Sequence, residues 1–298
     1  MLKTLFVIVG PTGVGKTKFV LRLAERIGCP IVNADSRQIY KEIPIGTAAP
    51  TAAEQARVPH YFVGTRSVME DYSAGQYERD CLALLDELRQ RPNATEPFAI
   101  LTGGSMMYID AVCKGLDDIP SVSAEIRAEV QQAYRDGGLT WLQAEVARVD
   151  PAYWSIVDQQ NPQRLMHCVE VTRAAGKPYS LFRQKEQTGA NAERPFKIEK
   201  IGLERPREEL YERINRRVDA MMAAGLEEEA RRVYPMREHN SLQTVGYREL
   251  FDYFDGKISR EEALRLIKQN SRHYAKRQMT WFRADKTIRW INPDSGSL

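Results

Sequence analysis

Hydrophobic and polar residues alternate along this chain in two rhythms. Leu5-Phe6-Val7-Ile8-Val9 is a short apolar run rich in β-branched residues, and it reads as a strand. Phe19 to Ala24 follows with helical texture. Pro30 to Ala34, Pro97 to Leu101 and Phe196 to Leu203 read as further strands, and Pro59 to Gly64 as a short edge strand. Between them, Ala74 to Arg89 places Tyr77, Cys81, Leu84, Leu85 and Leu88 at helical spacing. Strands alternating with helices predict an α/β fold with a parallel sheet.

From about Asp117 the pattern changes. Glu125 to Tyr134 is amphipathic, with Ile126, Val130, Ala133 and Tyr134 on one face, and it stops at Gly137-Gly138. Thr140-x-x-Gln143 has the form of a capping box opening Leu142 to Val149, which ends at Asp150-Pro151. Asn161-Pro162 caps a helix that runs through Ala175 to Gly176. No strand is predicted between Asp117 and Pro195. The expected organisation is an α/β core over residues 1–116 and 196–298, interrupted by an all-helical insertion over 117–195. The third insertion helix begins with Gln163-Arg164, polar groups at a helix start where a phosphate backbone could be held.

The last long helix is expected from about Arg260 to Phe282. Arg265, Lys268, Arg272, Lys276 and Arg283 recur at helical steps and form one basic stripe. Leu264, Ile267, Tyr274, Gln278 and Phe282 lie on another side, positioned to pack. Residues 257–290 carry ten Lys or Arg against three acids, in a chain of net charge only +3. A basic end on a slightly acidic body suggests a polyanionic partner, although solubility charge would also use Lys and Arg. With 298 residues, 43% apolar and 28% charged, the chain is an ordinary globular protein of one domain plus an insertion. Cys29, Cys81, Cys113 and Cys168 lie far apart, and neither they nor the four histidines form a zinc pattern, so reduced thiols and a cytoplasmic location are expected. No apolar run is long enough for a signal peptide or a membrane span.

The chemistry concentrates in three places. Gly10-Pro11-Thr12-Gly13-Val14-Gly15-Lys16-Thr17 has the spacing G-x-x-x-x-G-K-T between a strand and a helix. Glycines let successive N–H groups curl around an anion, and the following helix adds its positive end. Lys16 would neutralise phosphate oxygens and Thr17 would ligate Mg²⁺. Asp35, at the end of the second strand, would face this loop, because ligands of open α/β sheets sit beyond the carboxyl ends of the strands. It could order Mg²⁺, take a proton from an acceptor, or simply cap a turn. The strand ending at Leu101 runs into Thr102-Gly103-Gly104-Ser105, without the second aspartate common in nucleotide hydrolases. There a ligand could approach the backbone, or the glycines could form a plain turn. Arg213, Arg216 and Arg217 offer a lid over a diphosphate or a solvated basic face.

These residues resemble the bacterial tRNA dimethylallyltransferases, also called tRNA isopentenyltransferases. The resemblance runs nearly end to end. It rests on the glycine loop, on Asp35-Ser36-Arg37-Gln38-Ile39-Tyr40, on Ile45-Gly46-Thr47-Ala48 with Pro50, and on Gly103-Gly104-Ser105-Met106 with Tyr108. It continues in Gln163-Arg164, Gly246-Tyr247, Tyr274-Ala275-Lys276-Arg277-Gln278 and Thr280-Trp281-Phe282-Arg283. Ser105 stands where the family usually has Thr, and His167 stands near a position where it often has Arg.

The resemblance implies a P-loop NTPase-like, nucleotide-kinase-like core that holds dimethylallyl diphosphate. The acceptor it implies is N6 of the adenosine on the 3′ side of the tRNA anticodon, with diphosphate released and Mg²⁺ on Thr17. Asp35, Lys16 and Ser105 are then the catalytic candidates, Asp35 as the proton acceptor. Asp35, Ser36, Arg37, Gln38, Ser105, Arg127, Gln163, Arg164, Gln243, Arg248, Arg272 and Lys276 are the candidate contacts of the tRNA anticodon stem-loop. A monomer is expected. A P-loop small-molecule or nucleotide kinase would explain Lys16, Thr17 and Asp35 but not the basic helix. A non-catalytic RNA-binding protein would explain the helix but not the intact loop.

Overall fold

The central strand β1 (Thr4–Val9) pairs in parallel with β4 (Ala99–Thr102) on one side and β5 (Lys197–Leu203) on the other, Leu5 lying opposite both Ala99 and Ile198. The computed structural model describes residues 2–117, 119–183 and 192–294. With β2 (Ile31–Asn33), β3 (His60–Tyr61) and β6 (Arg289–Ile291), these strands form a six-stranded parallel sheet in the order β3-β2-β4-β1-β5-β6. The strand expected over Pro59 to Gly64 is only His60–Tyr61, at the sheet edge, where His60 Nδ1 lies 2.7 Å from the Val58 carbonyl. β6 was not anticipated: its three residues sit inside the basic tail, where composition hides the strand signal.

Both faces of the sheet are covered, which is why β1 reads as an unbroken apolar run. Leu5, Val7 and Val9 pack on Tyr77, Cys81 and Leu85 of α4 (Ala74–Gln90) and Val112 of α5 (Met106–Lys114). Ile8 packs the other way, with Val20, Leu21 and Ala24 of α1 (Lys16–Ile27). Burying each such side chain contributes roughly 1.5–3 kcal/mol. Between β2 and α4 lie two short helices, α2 (Pro44–Thr47) and α3 (Ala52–Arg57). α4 begins with a capping box, the Ser73 hydroxyl accepting from Gln76 N and the Gln76 side chain from Ser73 N.

The chain divides into two units, Met1–Cys113 with Glu193–Leu298, and Lys114–Ala192. The described residues of the second unit form α6 (Ala124–Val149), α7 (Pro151–Trp154) and α8 (Pro162–Ala175), with a short 3-10 turn at Tyr179–Phe182. Residues 118 and 184–191, within the stretch expected to lack strands, lie outside the described residues.

One expectation for α6 holds and one is corrected. The helix breaks at Gly138 (φ 62°, ψ −162°), where the glycine pair predicts a stop, so α6 is two helices joined across a kink, but among the described residues no Thr140 capping bond opens the second. The Gln143 amide instead donates to the Gln159 carbonyl at 3.1 Å. This unit has its own core, in which Val130, Leu142 and Val146 meet Leu165, Cys168 and Val169. Asp150 is buried, accepting from Tyr153 N, Ser180 N and Ser180 Oγ, so it is fully bonded.

Within the first unit, the C-terminal segment supplies α9 (Arg207–Ala223), α10 (Leu226–Val233), α11 (Tyr247–Phe254) and α12 (Arg260–Ala284). α12 is capped by Ser259, whose hydroxyl accepts from Glu262 N. It buries Ala263 and Ile267 among α10 and α11, Ala275 in the core shared with α1, Phe282 in the core shared with α4 and α5, and Gln278 against Thr12 and Gly104.

Candidate active site

Gly10, Pro11, Thr12, Gly13, Val14, Gly15, Lys16 and Thr17 lead from β1 into the first turn of α1. Gly15 is the N-cap of α1 with φ 106°, a region that side chains rarely adopt, and no side chain caps that helix start. The Lys16 ammonium donates to the carbonyls of Gly10 (2.7 Å) and Pro11 (3.0 Å). Burial first, and then the nearby Arg217 guanidinium, push Lys16 down from 10.5 to about 7, while Asp35 acts in the opposite direction. Burial likewise lowers Arg217, again opposed by Asp35. Two enclosed cations sharing one carboxylate leave surplus positive charge, which an anion relieves.

The arginines of α9 divide. Arg213 Nε donates to the Gly13 carbonyl at 2.9 Å, and Arg217 Nη1 to Thr12 Oγ1 at 3.3 Å. Arg205, just before α9, donates to the Val14 carbonyl at 2.8 Å. These three grip the glycine loop. Arg216 is exposed and lies 3.6 Å from Glu212, as a solvated charge does.

Asp35 follows β2. Its Oδ1 accepts from the backbone N–H of Arg37 (2.9 Å) and Gln38 (3.3 Å), so one oxygen caps the turn. Its other oxygen lies against Gly104: a Cβ built there would come within 2.7 Å of Oδ2. Gly103 is required for a different reason: a Cβ there would lie 2.1 Å from the Ala34 carbonyl oxygen. Ser105 is tied to the same turn. Its Oγ accepts from Ser36 N at 2.7 Å and donates to Ser36 Oγ at 2.8 Å, while Ser105 N donates to the Ala34 carbonyl. The Ser105 hydroxyl thus holds the segment that carries Asp35. Gln38 turns its Nε2 to the carbonyls of Thr47 (3.0 Å) and Ala48 (3.1 Å), which brings α2 into the site.

These groups line one cleft of about 880 Å³ within the first unit. Lys16, Thr17, Asp35, Ser36, Arg37, Gln38, Ser105, Gln243 and Arg248 all border it. So do Tyr274, Arg277 and Gln278 from α12. Gln278 is fully buried, accepts from Thr12 N at 2.8 Å and donates to the Gly104 carbonyl at 2.8 Å. Tyr274 Oη donates to the same carbonyl at 2.8 Å. Periodicity places both as packing residues, and nothing in their spacing announces the contact with the glycine loop. Arg277 stacks over Tyr274, 5.7 Å from its ring centroid.

The rest of the basic helix differs from the picture of a bare cationic row. Arg265 pairs with Glu262, Lys268 with Asp219 and Arg283 with Glu204. Arg272 donates to Asn215 Oδ1 at 2.6 Å and lies over Tyr211. Among the described residues, Lys276 is the member of the stripe with neither a carboxylate nor an amide partner, and it is exposed. Arg127, Gln163 and Arg164 belong to the second unit, all exposed. Arg127 lies beside His167, whose pKa is lowered by desolvation and then by that guanidinium.

Among the described residues, no group of three or more His, Cys, Asp or Glu could cage a metal ion. Thr17 is exposed and borders the same cleft as Asp35. This donor set fits Mg²⁺ carried mainly by substrate phosphates and water, as that ion prefers. Among the described residues no helix is long and apolar enough to cross a membrane.

A parallel sheet with a glycine loop after its first strand, and a carboxylate at the end of the second, defines a P-loop protein built around a phosphate compound. The family model described as IPP transferase matches residues 38–285. The tRNA dimethylallyltransferase 2 of Porphyromonas gingivalis is 54% identical over 292 residues, 98% of this chain and 95% of that protein. The tRNA dimethylallyltransferase 1 of Phocaeicola vulgatus is 55% identical over 294 residues, 99% of this chain and 95% of that protein. Among solved structures, the full-length tRNA isopentenylpyrophosphate transferase of Bacillus halodurans matches at a TM-score of 0.67 and 33% identity, covering 98% of this chain and 90% of that one. A eukaryotic dimethylallyltransferase acting on tRNA shares the fold at a TM-score of 0.80, with 22% identity over 98% of this chain and 74% of that one. The chain belongs to the tRNA dimethylallyltransferase family. It is a prenyltransferase, and the kinase and non-catalytic readings give way.

Proposed function

We propose that this protein transfers the dimethylallyl group of dimethylallyl diphosphate to N6 of the adenosine 3′-adjacent to the anticodon of tRNA, releasing diphosphate. The observation that carries this reading is the shared cleft in which Lys16 and Arg217 stand at the glycine loop with Asp35 close enough to act on both charges. The donor's diphosphate would lie in the loop, against the first turn of α1. The N6 nitrogen attacks the allylic C1: the N–C bond forms as the C1–O bond to diphosphate breaks. Asp35 accepts the N6 proton through the oxygen its turn leaves available. Lys16, Arg217 and the loop N–H groups take up the charge on the departing diphosphate. Mg²⁺, when bound, supplies further neutralisation of those oxygens, with Thr17 as its protein ligand.

The acceptor base must leave its stack to enter such a cleft. Ser36, Arg37, Gln38, Gln243 and Arg248 border it and would meet the extruded nucleotide and its neighbours. Arg127, Gln163 and Arg164, together with Arg272 and Lys276, would hold the anticodon stem-loop by its backbone. The protein would act as a monomer in the cytoplasm. The test is tRNA-dependent release of diphosphate from dimethylallyl diphosphate. Release is expected only with both substrates and Mg²⁺, and ATP should fail as a replacement donor. ATP turnover with tRNA and none with the allylic donor would overturn the reading.

A further inference from the structure

Glu229 of α10 is fully buried, at 0% exposure. Its carboxylate accepts from the backbone N–H groups of Ile45 (2.9 Å) and Gly46 (2.8 Å) and from Tyr247 Oη (2.5 Å). Among the described residues no ion pair involves it. A buried carboxylate is costly unless it is bonded, and an apolar side chain would serve the surrounding core better. Here the carboxylate serves α2. That helix starts at Ile43, which offers no side-chain cap, and Glu229 caps it from outside. Tyr247 closes the other side: its hydroxyl also reaches the Ile43 carbonyl at 3.3 Å, and a side chain at Gly46 would collide with its ring.

What this clamp holds is a strained turn aimed at the cleft. α2 ends at Ala48 with φ 46°, a left-handed conformation that a non-glycine residue keeps only where its surroundings enforce it. In that turn the carbonyls of Thr47 and Ala48 accept from Gln38 Nε2, at 3.0 and 3.1 Å. Gln38 N in turn donates to Asp35 Oδ1. We propose that Glu229 is a positioning residue for the transfer reaction, acting through the Ile45–Ala48 turn and Gln38 to fix the carboxylate of Asp35. This rests on the transfer reaction proposed above. Glu229 touches neither substrate, and the contact of its turn with Arg217, Nη2 to the Thr47 carbonyl, is long at 3.5 Å, so its effect falls on turnover more than on donor binding.

The test compares Glu229→Gln with the wild-type protein and with Gln38→Met, each first shown to be folded by thermal melting. Glu229→Gln sets an amide N–H against a backbone N–H and so loosens the turn without changing volume. The expected result is a kcat lower by roughly 10- to 100-fold, the scale of a misplaced reacting group, with affinity for inorganic diphosphate unchanged. Gln38→Met should lower kcat similarly, and the double variant should lose no more than the larger single loss. Amide exchange should quicken at residues 36–38 and 44–49 and stay unchanged in β1 and α4. An unchanged kcat, a parallel loss of diphosphate affinity and melting temperature, or additive losses in the double variant would overturn the proposal. If Glu229→Gln does not fold, Tyr247→Phe, which removes one donor to the same carboxylate, is read by the same criteria. The exchange measurement needs no turnover. A wild-type protein inactive with the allylic donor would therefore fault the reaction, while unaltered exchange at residues 36–38 would fault the positioning.

Discussion

The side chain of Gln278 accepts a hydrogen bond from the backbone N–H of Thr12 at 2.8 Å, joining residues 266 positions apart in the chain. Its amide nitrogen donates at 2.8 Å to the carbonyl of Gly104, the glycine against which Asp35 rests. One buried side chain of the C-terminal helix thus ties the phosphate loop to the segment beside the candidate proton acceptor. The fold brings the two halves of the site together at this point.

Replacing Gln278 by Leu keeps the volume and removes both bonds. The Thr12 N–H and the Gly104 carbonyl are then left without this partner, at a cost of about 1–3 kcal/mol for each group that stays buried. The melting temperature should fall, and affinity for inorganic diphosphate should fall with it, because Thr12 lies in the loop. Calorimetry of diphosphate binding on the folded variant checks this; unchanged affinity would mean that the brace only stabilises.

Lys16 sits at about 7 in the protein alone, lowered chiefly by burial and next by Arg217. Diphosphate favours its charged form and raises that value on binding. Below pH 7 the ammonium is already present; above pH 7 binding must draw in a proton. Donor affinity should therefore weaken as pH rises through about 7, with proton uptake visible in buffers of different ionisation enthalpy. Lys16→Ala should bind diphosphate weakly, transfer nothing measurable and lose the proton uptake above pH 7. Equal uptake in that variant would assign the titration elsewhere.

Asp35→Asn keeps the turn, since an amide oxygen can still accept from Arg37 N and Gln38 N, but it removes the proposed proton acceptor. Turnover should drop by roughly 10²–10⁴-fold with donor and tRNA affinity largely retained. Single-turnover rates at saturating donor separate this from a binding role, in which donor affinity would fall by the same factor.

The basic helix gives a graded expectation. Among the described residues Lys276 has no carboxylate partner and is exposed, whereas Arg265 is held by Glu262 through two bonds. Lys276→Gln should weaken tRNA binding and reduce the slope of log affinity against log salt by up to ~1. Arg265→Gln should change that slope less. Filter-binding titrations from low to moderate salt distinguish the two, and an equal effect of both would show that the Glu262 pair opens to reach phosphate.

The strands other than β6, the glycine loop and Asp35 were legible because each has a local signal: a β-branched run, a glycine spacing, a polar residue at a strand end. The basic stripe was legible as a pattern of charge but not as a set of partners. Asp219, Asn215 and Glu204, which engage Lys268, Arg272 and Arg283, come from elements remote in sequence. The contacts of Gln278 and Glu229 were invisible for the same reason, since a glutamine or glutamate on a helix reveals nothing of what tertiary packing sets against it. Ile45 to Pro50 enters the sequence reading only through the family resemblance. Its contribution is made by backbone carbonyls, which no side-chain pattern encodes. The break in α6 was legible in the paired glycines, and Gly138 alone takes the non-helical conformation between the two helices.

The most direct measurement incubates the protein with Mg²⁺, dimethylallyl diphosphate labelled in the allylic group, and unmodified tRNA, then digests the tRNA and separates its nucleosides. Label is expected in one product, N6-dimethylallyladenosine, located 3′-adjacent to the anticodon, formed by the wild-type protein and not measurably by Lys16→Ala. Label on another nucleoside or at another position, or tRNA that stays unlabelled while the folded protein binds both substrates, would contradict the proposed transfer.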